Sequence, residues 1–127
     1  YGFLSKDYTM INLKVSEAYA FDYLAILQIK CEMDTKAHFA TYAACVNNII
    51  DEIGDNDKWN KIMNSPQYQA LYDANKKTFN AVTLAKKDEV IASYVDKCNN
   101  ERFLAKKALH KKFFPEEAYN EKKVQPQ

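Results

Sequence analysis

The segment EAYAFDYLAILQIKCEM, residues 17–33, decides the fold of this chain. On a helix with 3.6 residues per turn, its apolar side chains lie on almost every side and leave a narrow polar strip of Glu17, Gln28 and Glu32. Ser16, directly before it, offers a side-chain oxygen for the first free backbone N–H groups. We therefore predict a first helix from about Glu17 to Met33 that is the central, most buried helix of the molecule.

The rest of the chain repeats this pattern of capping residues and apolar stripes. Three further long helices are predicted: Lys36 to about Ile53, ended by Gly54; Pro66 to about Lys86, started by Ser65; and a last one to Phe114, capped by Asp88 and ended by Pro115. One helical turn around Trp59 is expected in the polar loop between the second and third of these helices. Phe39, Phe79 and Ile91 are expected to face inward.

The N-terminal end differs from the rest of the chain. After Met10, the apolar residues Ile11, Leu13 and Val15 alternate with polar ones, which predicts a short extended segment. Residues 1–9 have no periodic pattern, and we interpret them as a non-native or disordered preamble, with Met10 as the natural start. The prediction is an all-α protein: a compact bundle of four main helices in a single domain over residues 10–115, preceded by the extended segment and followed by a peripheral tail at 116–127.

Composition limits the classes of function. The 127 residues carry a formal net charge of +1 with both signs interspersed, so nucleic acid is an improbable partner. No apolar run is long enough for a bilayer, and the three cysteines are far apart and suit reduced thiols. We therefore expect a cytoplasmic protein with no membrane association, no metal and no cofactor. The aromatic-rich first helix suggests more apolar surface than a monomer hides, which favours a homodimer.

Polar residues that interrupt the apolar faces form the candidate site. Arg102 is the only arginine in the chain, and it falls in the middle of the apolar stripe of the last helix. A charge taken out of water needs a partner, because an isolated buried ion is very costly. The predicted cluster of inward polar side chains consists of Asp22, Lys30, Asn75, Asn99, Arg102 and Lys106. No residue is predicted to be catalytic.

This cluster has two interpretations. In the first, Asp22 pairs with Arg102 while Asn75 completes the hydrogen bonds, so that the polar groups fix the register of the helices. In the second, Lys30, Arg102 and Lys106 bind a small carboxylate or phosphate that enters the bundle. If the helix boundaries differ by a residue or two from those predicted, these polar groups are instead solvated. The sequence leaves all of these possibilities open.

The same residues carry a resemblance to a known family. The segment Asp22-x-Leu24-x-Ile26-Leu27-x-Ile29-Lys30 and the later Asn100-x-Arg102, followed by Lys106 or Lys107, resemble the motifs D-x-L-x-I-L-x-I-K and N-x-R. These motifs are typical of an uncharacterised family of small all-helical proteins found in bacteria and marine phages. The resemblance implies no activity, but it singles out Asp22, Lys30 and Arg102 and agrees with Met10 as the start.

Three classes of function follow. The first is a non-enzymatic interaction or assembly protein that forms a homodimer. The second is a binding module for a small anionic metabolite, which Arg102 and Lys30 would bind. The third is a cofactor-free helical enzyme of the chorismate-mutase type, in which cations and amides stabilise a dicarboxylate transition state. A single arginine places this enzyme class last, because such sites normally use several.

Overall fold

Five α-helices make up the structure, a computed structural model that describes residues 14–88 and 91–116. They are α1 (Glu17–Met33), α2 (Thr35–Ile53), α3 (Asn56–Met63), α4 (Pro66–Lys86) and α5 (Ala92–Phe113). The predicted all-α class is confirmed, and the described residues contain no strand. The four long helices are those expected, and the single turn predicted around Trp59 is the two-turn helix α3. The predicted preamble 1–9, most of the extended segment and nearly all of the tail lie outside the described residues.

Local capping chemistry sets most helix ends. The Ser16 side chain accepts a hydrogen bond from the backbone N–H of Tyr19 at 3.1 Å. Gly54 ends α2 in the left-handed conformation with φ of 66°, which suits a residue without a Cβ. Ser65 accepts from the N–H of Tyr68 at 3.1 Å and precedes Pro66. These three predicted boundaries are therefore confirmed.

The predicted start of the last helix is wrong. Asp88 has a φ of 60° and its N–H donates to the carbonyl of Ala85, so it belongs to the turn that closes α4. The N-cap of α5 is instead Ile91, whose side chain cannot accept a hydrogen bond from the helix start. Ile91 is 72% exposed and does not join the inward stripe that was expected of it.

The core lies where α1 packs against the other long helices. α1 contacts α2, α4 and α5, and α4 has its most extensive contact with α5. The Phe21 ring is surrounded by the rings of Trp59, Tyr68 and Phe114, with centroids 6.0 to 6.4 Å away. Fully buried apolar side chains include Phe21, Leu24, Ile62, Leu71, Leu109 and Cys98. As predicted, α1 holds more buried residues than any other described helix.

Some apolar residues expected inside lie on the surface. Phe39 on α2 is 55% exposed and Phe79 on α4 is 38% exposed. Both helices have an apolar stripe wider than the area that their neighbours cover, so residues at the edge of the stripe reach solvent. Separately, no helix among residues 14–88 and 91–116 combines the length and apolar character needed to cross a membrane.

Candidate functional site

Asp22 on α1 is the centre of a buried polar cluster. Only 3% of this residue is exposed, although a carboxylate in an apolar interior is costly unless it is paired and hydrogen bonded. Its carboxylate oxygens contact side chains from two other helices, Asn75 on α4 and both Arg102 and Lys106 on α5. These four residues are called the Asp22 cluster below.

Arg102 makes the strongest contact in the Asp22 cluster. Its Nε lies 3.1 Å from Oδ1 of Asp22, and its Nη2 lies 2.7 Å from Oδ2. Two parallel bonds between a guanidinium and a carboxylate give both strength and a fixed orientation. The Arg102 side chain is 28% exposed, whereas that of Asp22 is 4% exposed, so the pair lies at the edge of the interior. The contact fixes α5 against α1.

Asn75 and Lys106 complete the surroundings of the carboxylate. The Asn75 side-chain amide donates to Oδ1 of Asp22 at 2.8 Å. Lys106 Nζ lies 3.5 Å from Oδ2, and this lysine is only 5% exposed. One carboxylate therefore ties three helices together, with a neutral donor from α4 and two cations from α5.

The contacts of the Asp22 cluster determine its protonation. Burial alone raises the pKa of the Asp22 carboxyl. Hydrogen bonds from Arg102 and Asn75, together with the charges of Arg102 and Lys106, more than offset burial, and the net pKa lies below the ordinary value of an aspartate. Asp22 is therefore ionised near neutral pH, which suits a structural counter-ion and does not suit a general acid.

The structure brings together four of the six predicted site residues. Asp22, Asn75, Arg102 and Lys106 form one connected group. Asn99 is exposed, and its side-chain oxygen accepts a hydrogen bond from Nη1 of Arg102 at 3.3 Å, at the rim of the group.

The expectation that Lys30 points inward is wrong. Lys30 is exposed, on the same helix as the buried Asp22. The two residues are eight positions apart, which rotates their directions by about 80° on an α-helix. That rotation places Lys30 beyond the edge of the buried side of α1, so it does not join the Asp22 cluster.

A second set of polar contacts was not predicted. The Tyr68 hydroxyl donates to the Gln28 side-chain oxygen at 2.8 Å, and the Tyr72 hydroxyl donates to the Glu32 carboxylate. The latter hydrogen bond, with a smaller effect of burial, raises the pKa of Tyr72 to about 12. The predicted polar strip of α1 therefore includes residues that bond α4. The signal was present in the sequence, because Gln28 and Glu32 have the same four-residue spacing as the two tyrosines.

The side of α1 that faces solvent is largely apolar. Tyr19, Tyr23, Lys30 and Met33 are exposed there and the half-buried Ile26 lies among them; these five residues are called the outer face of α1 below. Tyr19 is 49% exposed, Tyr23 is 45% exposed and Met33 is 63% exposed. Exposed apolar groups scattered singly are normal, whereas large contiguous apolar patches are typical of interaction surfaces. Only Lys30 carries a charge on this face.

The chemistry available to the Asp22 cluster is limited by its internal pairing. The Nε and Nη2 groups of Arg102 already donate to the Asp22 carboxylate. Arg102 would need the same two groups to bind the carboxylate of a ligand in this geometry. Across residues 14–88 and 91–116, no three His, Cys, Asp or Glu side chains are grouped so that they could hold a metal ion. The arrangement is that of a structural ion pair with an added amide and lysine.

No protein family, curated protein or solved structure matches this chain.

Proposed function

We propose that this protein is a non-enzymatic interaction or assembly protein that forms a homodimer through the outer face of α1. Two features support the proposal. The Asp22 cluster is used internally, since its carboxylate binds side chains of the same chain. On the outer face of α1, the large apolar side chains of Tyr19, Tyr23 and Met33 are 45 to 63% exposed.

The observation that carries the proposal is the exposure of three large side chains on one helical face. Tyr19 and Tyr23 are nearly half exposed and Met33 is 63% exposed, although all three belong to the most apolar of the described helices. Burying such side chains in an interface is favourable by about 25 cal/mol for each Å² of apolar area. Aromatic residues and methionine are also enriched in protein interfaces. A second copy of the chain presents the same face, and most soluble oligomers are symmetric homo-oligomers.

Sedimentation of the full chain over a range of protein concentrations tests the proposal. A dimer is expected at high concentration, and Tyr23→Lys is expected to shift it to monomer because two charges would be buried at the contact. Leu104→Lys is the matched control, since Leu104 is 53% exposed on α5, away from this face. A chain that stays monomeric at all concentrations, or a dimer unaffected by Tyr23→Lys, would refute the proposal. Circular dichroism verifies that both variants stay helical.

Cell compartment and family membership form part of the same proposal. Cys31, Cys45 and Cys98 are free thiols, which supports a reducing compartment such as the cytoplasm. The Asp22 and Arg102 positions of the family motifs are joined directly, which gives a physical reason for both motifs to occur in one chain. We therefore also propose membership in the uncharacterised family of small helical proteins of bacteria and marine phages.

Binding of a small anion is the second candidate function. It is favoured by one observation: two cations, Arg102 and Lys106, lie on one carboxylate, and the arginine side chain is 28% exposed. A thermal-shift screen with phosphates, nucleotides and dicarboxylates tests it. A rise in melting temperature that vanishes in Arg102→Met would support it, and no rise with any of these ligands would contradict it. Enzymatic turnover of a dicarboxylate, the third candidate, would require such binding first.

A further inference from the structure

We infer that, in the proposed homodimer, the two α1 helices pair in antiparallel fashion, with Lys30 of each chain against the partner's Tyr19. The inference rests on the proposed function and specifies the geometry of that same contact. It depends on the spacing of the outer-face residues along α1 and on the position of Lys30, the one charged residue of that face.

The spacing of the outer face is that of a helix pairing surface. Tyr19, Tyr23, Ile26, Lys30 and Met33 follow one another at intervals of four, three, four and three residues. This is the a and d pattern of the heptad repeat, which keeps one stripe of side chains facing a partner helix. α1 has 17 residues, enough for about two heptads, so the stripe runs along most of the helix. The occupant that this face fits best is therefore another helix with the same spacing.

The single charge decides the direction of pairing. In a parallel pair of identical helices, each core position meets its own copy, so Lys30 would meet the partner's Lys30. Two like charges at such a position repel each other and would also lose part of their hydration. Lys30 is exposed and thus retains its hydration in the single chain. Parallel pairing is therefore disfavoured by the sequence of this face.

Antiparallel pairing removes this conflict. With the two-fold axis between Tyr23 and Ile26, these two positions face each other across the dimer, and Lys30 faces the partner's Tyr19. An ammonium over an aromatic ring is an attractive contact, worth about 0.5 to 1 kcal/mol at exposed sites. The long aliphatic part of the lysine also covers apolar surface while its charged end stays near water. The face is thus complementary to itself, which favours a second copy over a foreign partner.

Introduced glutamates test the direction of pairing. Tyr19→Glu would place a carboxylate opposite the partner's Lys30 in the antiparallel dimer, whereas Tyr23→Glu, the matched control, would place one opposite the partner's Ile26. We expect the dissociation constant of Tyr23→Glu to rise at least about tenfold more than that of Tyr19→Glu. Adding Lys30→Glu to Tyr19→Glu is expected to weaken the dimer about tenfold further, since the two facing positions would then both be negative.

The outcomes separate this inference from the proposed function. A parent chain that never dimerises, or a dimer unaffected by either glutamate, would refute the proposed function itself. A parent dimer that Tyr19→Glu weakens as much as Tyr23→Glu does would refute the antiparallel arrangement alone. A Tyr19→Glu dimer that is strengthened by Lys30→Glu would refute it as well. Sedimentation of each full-length variant at several concentrations gives all of these constants, and circular dichroism verifies its helicity.

Discussion

Asn75 contacts Asp22 through a side-chain amide that also donates to the carbonyl oxygen of Leu71, at 2.8 and 3.1 Å respectively. One buried amide group therefore joins α4 both to the carboxylate of α1 and to its own preceding turn. Because the amide is neutral, it supplies a hydrogen bond without adding a third positive charge beside Arg102 and Lys106. This explains why an asparagine on the inner face of α4 is compatible with a folded core.

Removing the carboxylate of Asp22 should strongly destabilise the protein. Asp22→Asn is expected to lower the free energy of unfolding by about 3 kcal/mol, because Arg102 and Lys106 would lose the buried negative charge that they contact. The double variant with Arg102→Met is expected to lose less than the sum of the two single variants, since one of the two cations would be removed with its partner. Urea denaturation at one fixed protein concentration measures these differences.

The exposed pair of Lys77 and Glu101 is the matched control for this experiment. It also joins two helices, with Lys77 Nζ 2.9 Å from Glu101 Oε1, but both side chains are more than a third exposed. Exposed ion pairs contribute little, so Lys77→Met should change the unfolding midpoint far less than Asp22→Asn does. Equal effects of the two substitutions would contradict the structural role assigned to the Asp22 cluster.

Stability should depend on pH through Asp22 in the acid range. The pKa of this carboxyl is lower in the folded chain than the value of about 3.9 expected in the unfolded chain. The unfolded chain therefore binds more protons between these two values, and stability rises with pH across that interval. The contribution is complete above about pH 4 and is lost as pH falls through the folded-state pKa.

The difference between the parent and Asp22→Asn isolates this contribution from those of the other carboxylates. Thermal unfolding of both proteins over the acid range is the measurement. The gap in stability should be widest above about pH 4 and should narrow in more acid solution. A gap that stays constant or widens on acidification would mean that the Asp22 pKa is not lowered by folding.

The bond between Tyr68 and Gln28 should contribute measurably to the contact of α4 with α1. Tyr68 is 4% exposed, so Tyr68→Phe would leave the Gln28 oxygen without this donor in a partly buried place. The expected loss in the free energy of unfolding is about 1 kcal/mol. At a protein concentration low enough for the chain to be monomeric, Tyr23→Phe is the control, because the Tyr23 side chain is 45% exposed on the outer face of α1. Urea denaturation of both variants at the same protein concentration compares them, and equal losses would contradict the prediction.

The start of α5 can be improved by a capping side chain. Ile91 is the N-cap with an extended backbone, φ of −89° and ψ of 160°, and it makes no side-chain bond to the helix. Ile91→Asp should raise the free energy of unfolding by about 1 kcal/mol. A carboxylate there can accept a hydrogen bond from the first backbone N–H groups of α5 and interacts favourably with the helix dipole. Ile91→Ala separates this gain from the removal of an exposed isoleucine. If both variants melt at the same temperature, the added cap is not formed.

Helix boundaries were predictable from sequence where a single residue type determines the local backbone. Ser16, Gly54 and the pair Ser65 and Pro66 each have one dominant role at a helix end, and each was placed correctly. Asp88 was not, because an aspartate suits both an N-cap and a left-handed turn. In the structure the Asp88 N–H donates to the carbonyl of Ala85, which places Asp88 in a turn. This hydrogen bond depends on the backbone path after α4, which the sequence does not show.

The centre of the candidate site was predictable for a different reason. Arg102, Asp22 and Asn75 are polar residues surrounded by apolar ones at helical spacing, and such residues must find one another inside a bundle. The prediction that Lys30 points inward was wrong because the sequence does not show which side of the nearly all-apolar helix α1 is covered by the other helices. On α1 that covered side excludes Lys30, Tyr23 and Met33. The apolar pattern alone gives no direction, since it is almost uniform around the helix axis.

The joining of α1 to α5 through Asp22 has a consequence for biosynthesis. The carboxylate and its arginine are 80 positions apart in the chain, and the amide of Asn75 is 53 positions from the same carboxylate. A ribosome completes α1 long before it reaches the two basic residues that neutralise its buried acid. A nascent chain that has not yet reached α5 lacks both cations that contact the Asp22 carboxylate. The contact that fixes α1 against α5 through Asp22 can therefore form only after α5 has been synthesised.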